Sequence, residues 1–145
     1  MSFTLDVNVL LYASDSSSPF SQAAQTVLDE AAEGPDIAYL FWPTLLAYLR
    51  IATHPSIFTS PLPLEDAIAN VESLIRLPHI QTPGEHESFW THLRSVVEDA
   101  RPRGNLVADA HLVALMRANG VRTIVTHDRD FRRFSGIEVL DPFEG

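Results

Sequence analysis

The chain has 145 residues, enough for one core of ordinary size. Hydrophobic residues make up 46% and no apolar run approaches the ~18 residues a bilayer span requires, which excludes disordered and membrane-embedded classes. Cysteine is absent, so disulfides, thiolate zinc sites and cysteine nucleophiles are excluded, and a net charge of −9 disfavours nucleic acid as a partner at first sight.

The predicted elements begin with a buried strand at 3–12 that turns into helix; its start lacks a basic leader and Asp6 interrupts the apolar stretch, which argues against a secretory signal and for the cytoplasm. "SSSPF" at 16–20 reads as a helix start, with serine as cap and proline in the first turn, and the helix runs to Gly34-Pro35. "DIAYLF" is a second strand. "WPTLLAYLRIAT" has helical spacing, with Leu45, Leu49 and Ala52 on one face, and ends before Pro55. A proline-rich surface loop at 54–63 leads to helix over "LEDAIANVESLIRL", and "HIQTP" is a weak third strand. "GEHESFWTHLRSVVEDA" reads as a helix stopped by Pro102, and "LVADAHLVALMRAN" as one closed by Gly120 in a left-handed cap. "RTIVTH" and "IEVLDP" are the fourth and fifth strands, with a short helical turn at "DRDFRRF" between them. Short apolar strands alternating with helices predict an α/β fold with a parallel sheet covered on both faces, as a single domain over 1–145.

In such a sheet ligands bind at the carboxyl ends of the strands, near the point where strand order reverses. Asp6 follows strand one and Asp128 follows strand four. Asp109 lies in the first turns of the helix leading into strand four, whose N-terminus overlies the same edge. Three separate segments therefore bring a carboxylate to one rim, provided strands one and four are neighbours. Such carboxylates repel, and a divalent cation removes the conflict. Oxygen-only ligands favour Mg²⁺ or Mn²⁺ over zinc, and a cation there suits phosphodiester hydrolysis.

Each acid also has a structural account. Asp6 closes a strand, Asp109 complements a helix dipole, Asp128 caps a turn, and Asp130 is a cap or a solvent-facing acid. Asn8 and Thr126 are candidates for orienting Asp6. His111 and His127 lie near the rim but read as histidines satisfied by their surroundings.

The joint pattern resembles the PIN-domain ribonucleases, specifically the VapC toxins of toxin–antitoxin pairs. "LDVNVLLYA" at 5–13 resembles the opening strand with its first metal-binding aspartate, and "LLAYLRIATHPSIF" at 45–58 the second motif. "GNLVADAHLVALMRANGV" at 104–121 and "TIVTHDRDFRRFSGIEVLDP" at 123–142 resemble the last two. The resemblance implies a three-layer α/β/α sandwich with strand order 3-2-1-4-5 and a Mg²⁺- or Mn²⁺-dependent endoribonuclease acting on tRNA or rRNA. It implies inhibition by a cognate VapB-like antitoxin lying across the active groove, and a homodimer. Asp6, Asp109 and Asp128 become the catalytic, metal-binding acids, Asp130 a fourth candidate, and Thr126 the hydroxyl residue near the metal. The departure is in the second motif. Its usual glutamate, three residues before Arg50, is here Ala47, and no carboxylate lies between residues 37 and 64. Activity is expected to survive this change, and a glutamate restored at 47 to tighten metal affinity.

Lysine is absent, and seven of the ten arginines lie between Arg101 and Arg133, where only Asp109, Asp128 and Asp130 offset them; that segment carries +4 and the remainder −13. This charge is read either as solvated helix faces or as a surface for phosphates or an acidic partner. Arg50, Arg129 and Arg132 are the candidate RNA or antitoxin contacts, with Arg133 beside them. Trp42 and Trp90 read as core or dimer-contact residues. A haloacid-dehalogenase-like phosphatase fails because Asn8 stands where its second acid belongs and no lysine is present; a receiver-like phosphoacceptor fails on the same lysine. The remaining alternative is a catalytically inactive PIN module that binds RNA or a partner, which Ala47 and the acidic charge favour.

Overall fold

The computed structural model describes residues 1–58 and 60–144. Its elements in chain order are β1 (Ser2–Leu5), α1 (Val7–Ser14), α2 (Ser21–Glu33), β2 (Ile37–Tyr39), α3 (Trp42–Ala52), α4 (Leu64–Ile75), β3 (Ile80–Gln81), α5 (Phe89–Ala100), α6 (Leu106–Ala118), β4 (Thr123–Val125), a 3-10 turn (Arg129–Arg133) and β5 (Glu138–Leu140). All pairings are parallel and the order is β3-β2-β1-β4-β5, as the resemblance implies. Strands β1 and β4 are neighbours, in register Phe3↔Thr123, Thr4↔Ile124 and Leu5↔Val125.

Side chains alternate across the strands and feed two separate cores. Leu5, Ala38, Leu40, Ile80 and Val125 pack with residues of α1 to α4, including Val9, Val27, Leu45, Tyr48 and Val71. On the opposite face Ile124 packs with Phe41, at the start of α3, and with Val96, Leu115, Met116, Phe131 and Phe134, from α5, α6 and the 3-10 turn with its C-cap. The result is a three-layer α/β/α sandwich. Helix α3 divides its surface by helical periodicity. Leu45, Tyr48 and Ala52 are buried with Leu49 packed beside them, whereas Pro43, Thr44, Ala47, Arg50 and Ile51 line a cleft.

Three local expectations differ from the structure. Helix α2 begins at Ser21 with no side-chain cap; the Ser18 hydroxyl accepts from the Phe20 amide at 3.1 Å, so "SSSPF" makes a turn before the helix. Helix α5 begins at Phe89, and 84–88 stay outside it, with Glu85 bound to His111 of α6 at 2.7 Å. Trp42 and Trp90 are 40% and 63% exposed, which removes the core reading for both. Helix α2 does stop at Gly34 (φ 72), and α6 is closed by Gly120 (φ 68).

Candidate active site and metal centre

The adjacency of β1 and β4 puts Asp6 and Asp128 one and three residues past neighbouring strand ends. Asp6 is the N-cap of α1, and its Oδ1 accepts from the Val7 amide at 2.8 Å. Its own amide donates to the Val125 carbonyl at 3.0 Å, fastening the cap to β4. The Thr126 hydroxyl donates to Asp6 Oδ2 at 2.8 Å, and the same oxygen accepts from the Asn8 amide group at 3.2 Å and from the Asp128 amide at 2.9 Å. Thr126 is fully buried and so fixes the relative position of two acids. Asn8 acts on Asp6 through Thr126 rather than directly, and its Oδ1 is buried without a partner among the described residues.

Asp128 caps the 3-10 turn by accepting from the Asp130 amide at 2.9 Å. The same turn carries Asp130 towards Asp109, which sits in the first turn of α6. One carboxylate oxygen from each of Asp109, Asp128 and Asp130 lies within 4.8 Å of the other two. Asp6 stands outside that tightest group, its two oxygens accepting from the Val7 amide and the Thr126 hydroxyl. It lines a cleft of about 190 Å³ together with Asp109, Ala47 and Arg50.

The electrostatics reflect this crowding. Burial, then the charges of Asp128, Asp6 and Asp130, push the Asp109 carboxyl up to about 7, with Arg133 opposing them. Burial also raises Asp6, against the hydrogen bonds from Thr126 and Val7. Oxygen-only donors gathered this closely suit a hard divalent cation, which would remove the repulsion that raises Asp109. The site residues present therefore fit such a cation.

Other candidates are placed elsewhere. Arg129 Nη2 lies 3.0 Å from Glu144 and Arg132 Nη2 3.8 Å from it, so both are occupied by the C-terminal segment. His127 Nδ1 contacts Asp141 at 2.9 Å among the rings of Tyr12, Phe20 and Phe143, and His111 contacts Glu85. Both histidines are thus satisfied by their surroundings. Sequence reasoning missed Tyr12, whose phenol is raised by burial and by Asp141, Asp6 and Asp128. It is six residues from Asp6, and nothing in the sequence marks it. Sequence reasoning also missed Pro43 and Thr44, which line the cleft.

Comparisons with known proteins place the chain in a family. The PIN domain family model matches residues 3–137. Ribonuclease VapC48 of Mycobacterium tuberculosis is 49% identical over 145 residues, covering 100% of both chains. Ribonuclease VapC37 of the same organism is 35% identical over 141 residues, covering 95% of each. Among solved structures, VapBC2 from Rickettsia felis bound to a promoter DNA fragment matches with TM-score 0.70 at 14% identity, covering 97% of this chain and 98% of that one. Mycobacterium tuberculosis VapC20, a sarcin-ricin loop cleaving toxin, matches with TM-score 0.65 at 15% identity, covering 94% and 98%. At those identities the structures show likeness of fold. The family model and the full-length relatives show more: the chain belongs to the PIN-domain ribonucleases of the VapC family, nucleases that depend on divalent metal.

Proposed function

We propose that the chain, acting as one module over 1–145, is the toxin of a VapBC-type pair. On this reading it is an endoribonuclease that uses Mg²⁺ or Mn²⁺ in the cytoplasm to hydrolyse tRNA or rRNA until a VapB-like antitoxin covers its cleft. The observation that carries this is the convergence of Asp109, Asp128 and Asp130 within 4.8 Å, beside Asp6, on the carboxyl rim of a PIN sheet. Asp109, Asp128 and Asp130 would hold the cation, with Asp6 beside them in a position set by Thr126 and the Val7 amide. Bound there, the cation supplies charge neutralisation at the scissile phosphoryl group and a lowered pKa for the attacking water. One water is consumed: its oxygen joins phosphorus, the P–O3′ bond breaks, and the 3′ oxygen ends protonated, leaving a 5′-phosphate. Arg50 lies at the cleft for contact with RNA or antitoxin; Arg129 and Arg132 become available when Glu144 yields to a phosphate. Exposed Leu46, Leu64 and Ile68 on α3 and α4 supply the apolar surface for a homodimer.

A binding-only module is the second reading, favoured by Ala47 in the cleft. Purified chain freed of antitoxin is incubated with total RNA and Mg²⁺ or Mn²⁺. New 5′-phosphate ends that vanish in EDTA and in Asp6→Asn are expected. Tight RNA or antitoxin binding with no cleavage under either metal would establish the second reading instead.

A further inference from the structure

Arg50 lines the same cleft as Asp6 and Asp109, and no carboxylate lies within salt-bridge distance of it among the described residues. Five arginines, Arg76, Arg94, Arg117, Arg129 and Arg132, lie within 4.0 Å of a carboxylate, and Arg50 is not among them. It lies three residues after Ala47 on the face of α3 that lines the cleft, with Asp6 and Asp109 on the other wall. Helical side chains lean back towards the N-terminus, which sets the exposed Arg50 stem over the turn that carries position 47. A glutamate at 47 would meet this guanidinium as an i,i+3 ion pair and consume its charge. Alanine leaves the charge free and the wall between them open.

The cleft thus has two unlike walls. One carries Asp6 and Asp109, and Asp109 belongs to the group with Asp128 and Asp130 that can hold a cation. The other offers a permanently charged planar fork that matches phosphate oxygens. The volume between them, about 190 Å³, takes several water molecules or a phosphate group. Hydrolysis of a phosphodiester gathers negative charge on the phosphoryl oxygens as the bond to the 3′ oxygen breaks, and charge fixed in advance at that point lowers the barrier.

We propose that Arg50 is a catalytic residue of this chain: its guanidinium binds the scissile phosphate across the cleft from a single bound cation and supplies the second positive charge that a carboxylate at position 47 would otherwise recruit as a second metal ion. The proposal rests on the ribonuclease reading above, and its test is built to fail separately from it.

Wild type, Arg50→Ala, Arg50→Lys and Ala47→Glu are compared after their melting temperatures show each is folded. Calorimetric titration with Mn²⁺ alone should give one site per chain in the wild type and in both Arg50 variants, with affinities within two-fold. Ala47→Glu should gain a second Mn²⁺. A mixed-sequence single-stranded RNA oligonucleotide, followed by fluorescence anisotropy in EDTA, should bind Arg50→Ala about 10-fold more weakly, with a salt slope smaller by about 0.7. In Mg²⁺, cleavage of the same RNA by Arg50→Ala should lose on the order of 10²–10³ in kcat, and Arg50→Lys should recover part of it. Two Mn²⁺ of similar affinity in the wild type would overturn the proposal. So would metal-free RNA affinity and kcat for Arg50→Ala within three-fold of wild type. If the wild type binds RNA and Mn²⁺ but never cleaves, the ribonuclease reading fails, and Arg50 is then judged by the metal-free RNA affinity.

Discussion

Thr126 shows what a single buried hydroxyl does at this site. It donates to Asp6 and accepts from Asn8 and the Asp128 amide, so one oxygen ties α1 to the end of β4. Thr126→Val keeps the shape and removes all three bonds. Leaving the buried Asp128 amide and the Asn8 amide group unpartnered should cost about 2–3 kcal/mol. Thermal unfolding should then fall by about 5–10 °C, and RNA cleavage by roughly 10–100-fold as Asp6 loses its orientation. An unchanged melting temperature would mean that water replaces the hydroxyl at no cost. Thr126 and Asn8 were legible as neighbours of Asp6, but the chain of bonds was not, because side-chain direction at a strand end depends on the partner strand.

Asp109 makes a pH prediction with a definite sign. Its folded pKa is raised, from 3.8 to about 7, so the folded chain binds this proton more tightly than the unfolded chain does. Stability of the metal-free chain must therefore fall as pH rises from about 4 through about 7, and level off above. Asp109 is half-buried, so water screens part of the penalty. Between pH 5 and 8 in EDTA the melting temperature should drop by roughly 3–6 °C. Asp109→Asn should lack most of that drop and melt above wild type at pH 8, and Mn²⁺ should cancel the drop in wild type. A wild-type curve that rises over this range, or matches that of Asp109→Asn, contradicts the electrostatic account.

At the scale of elements, the helices and strands were mostly legible and their first turns were not. Helix α5 was expected from Gly84 and starts at Phe89, because Glu85 is drawn out to His111. Ser18 was expected to cap α2 and instead closes a turn onto Phe20. Both errors come from polar side chains whose partner lies outside the helical pattern. Where backbone geometry alone decides, the sequence suffices: Gly34 ends α2 with φ 72, and a Cβ there would meet the His79 ring at 2.6 Å. Gly34→Ala should therefore destabilise by about 1–3 kcal/mol in urea unfolding, from the strained φ and the clash together. A change below about 0.5 kcal/mol would show that His79 moves aside freely.

At the scale of the molecule, charge distribution says more than net charge. The +4 of residues 101–133 divides in the fold. Arg117, Arg129 and Arg132 are spent on Asp99 and Glu144, while Arg133 acts on Asp109 and Arg50 faces the cleft. Arg101, Arg103 and Arg122 carry no ion pair among the described residues but lie outside the cleft lining, so if the cleft alone contacts RNA, binding should be modest with a shallow salt dependence, equivalent to about one to three phosphates. A slope several times steeper would require an extended arginine groove. The convergence of the acids was legible because a parallel sheet with β1 beside β4 leaves few places for Asp6, Asp109 and Asp128 to go. The closer grouping of Asp130 was not, because it depends on Asp128 capping the 3-10 turn that carries it. The sandwich exists, in effect, to hold these acids at one rim.

The most direct measurement of that claim is Mn²⁺ binding followed by electron paramagnetic resonance on wild type, Asp109→Asn and Asp128→Asn. The account predicts a saturable Mn²⁺ site in wild type, weakened by at least about 10-fold in each variant, with RNA cleavage lost in parallel. Mn²⁺ affinity unchanged in both variants would mean that these carboxylates do not hold the cation, and the account of the site would be wrong.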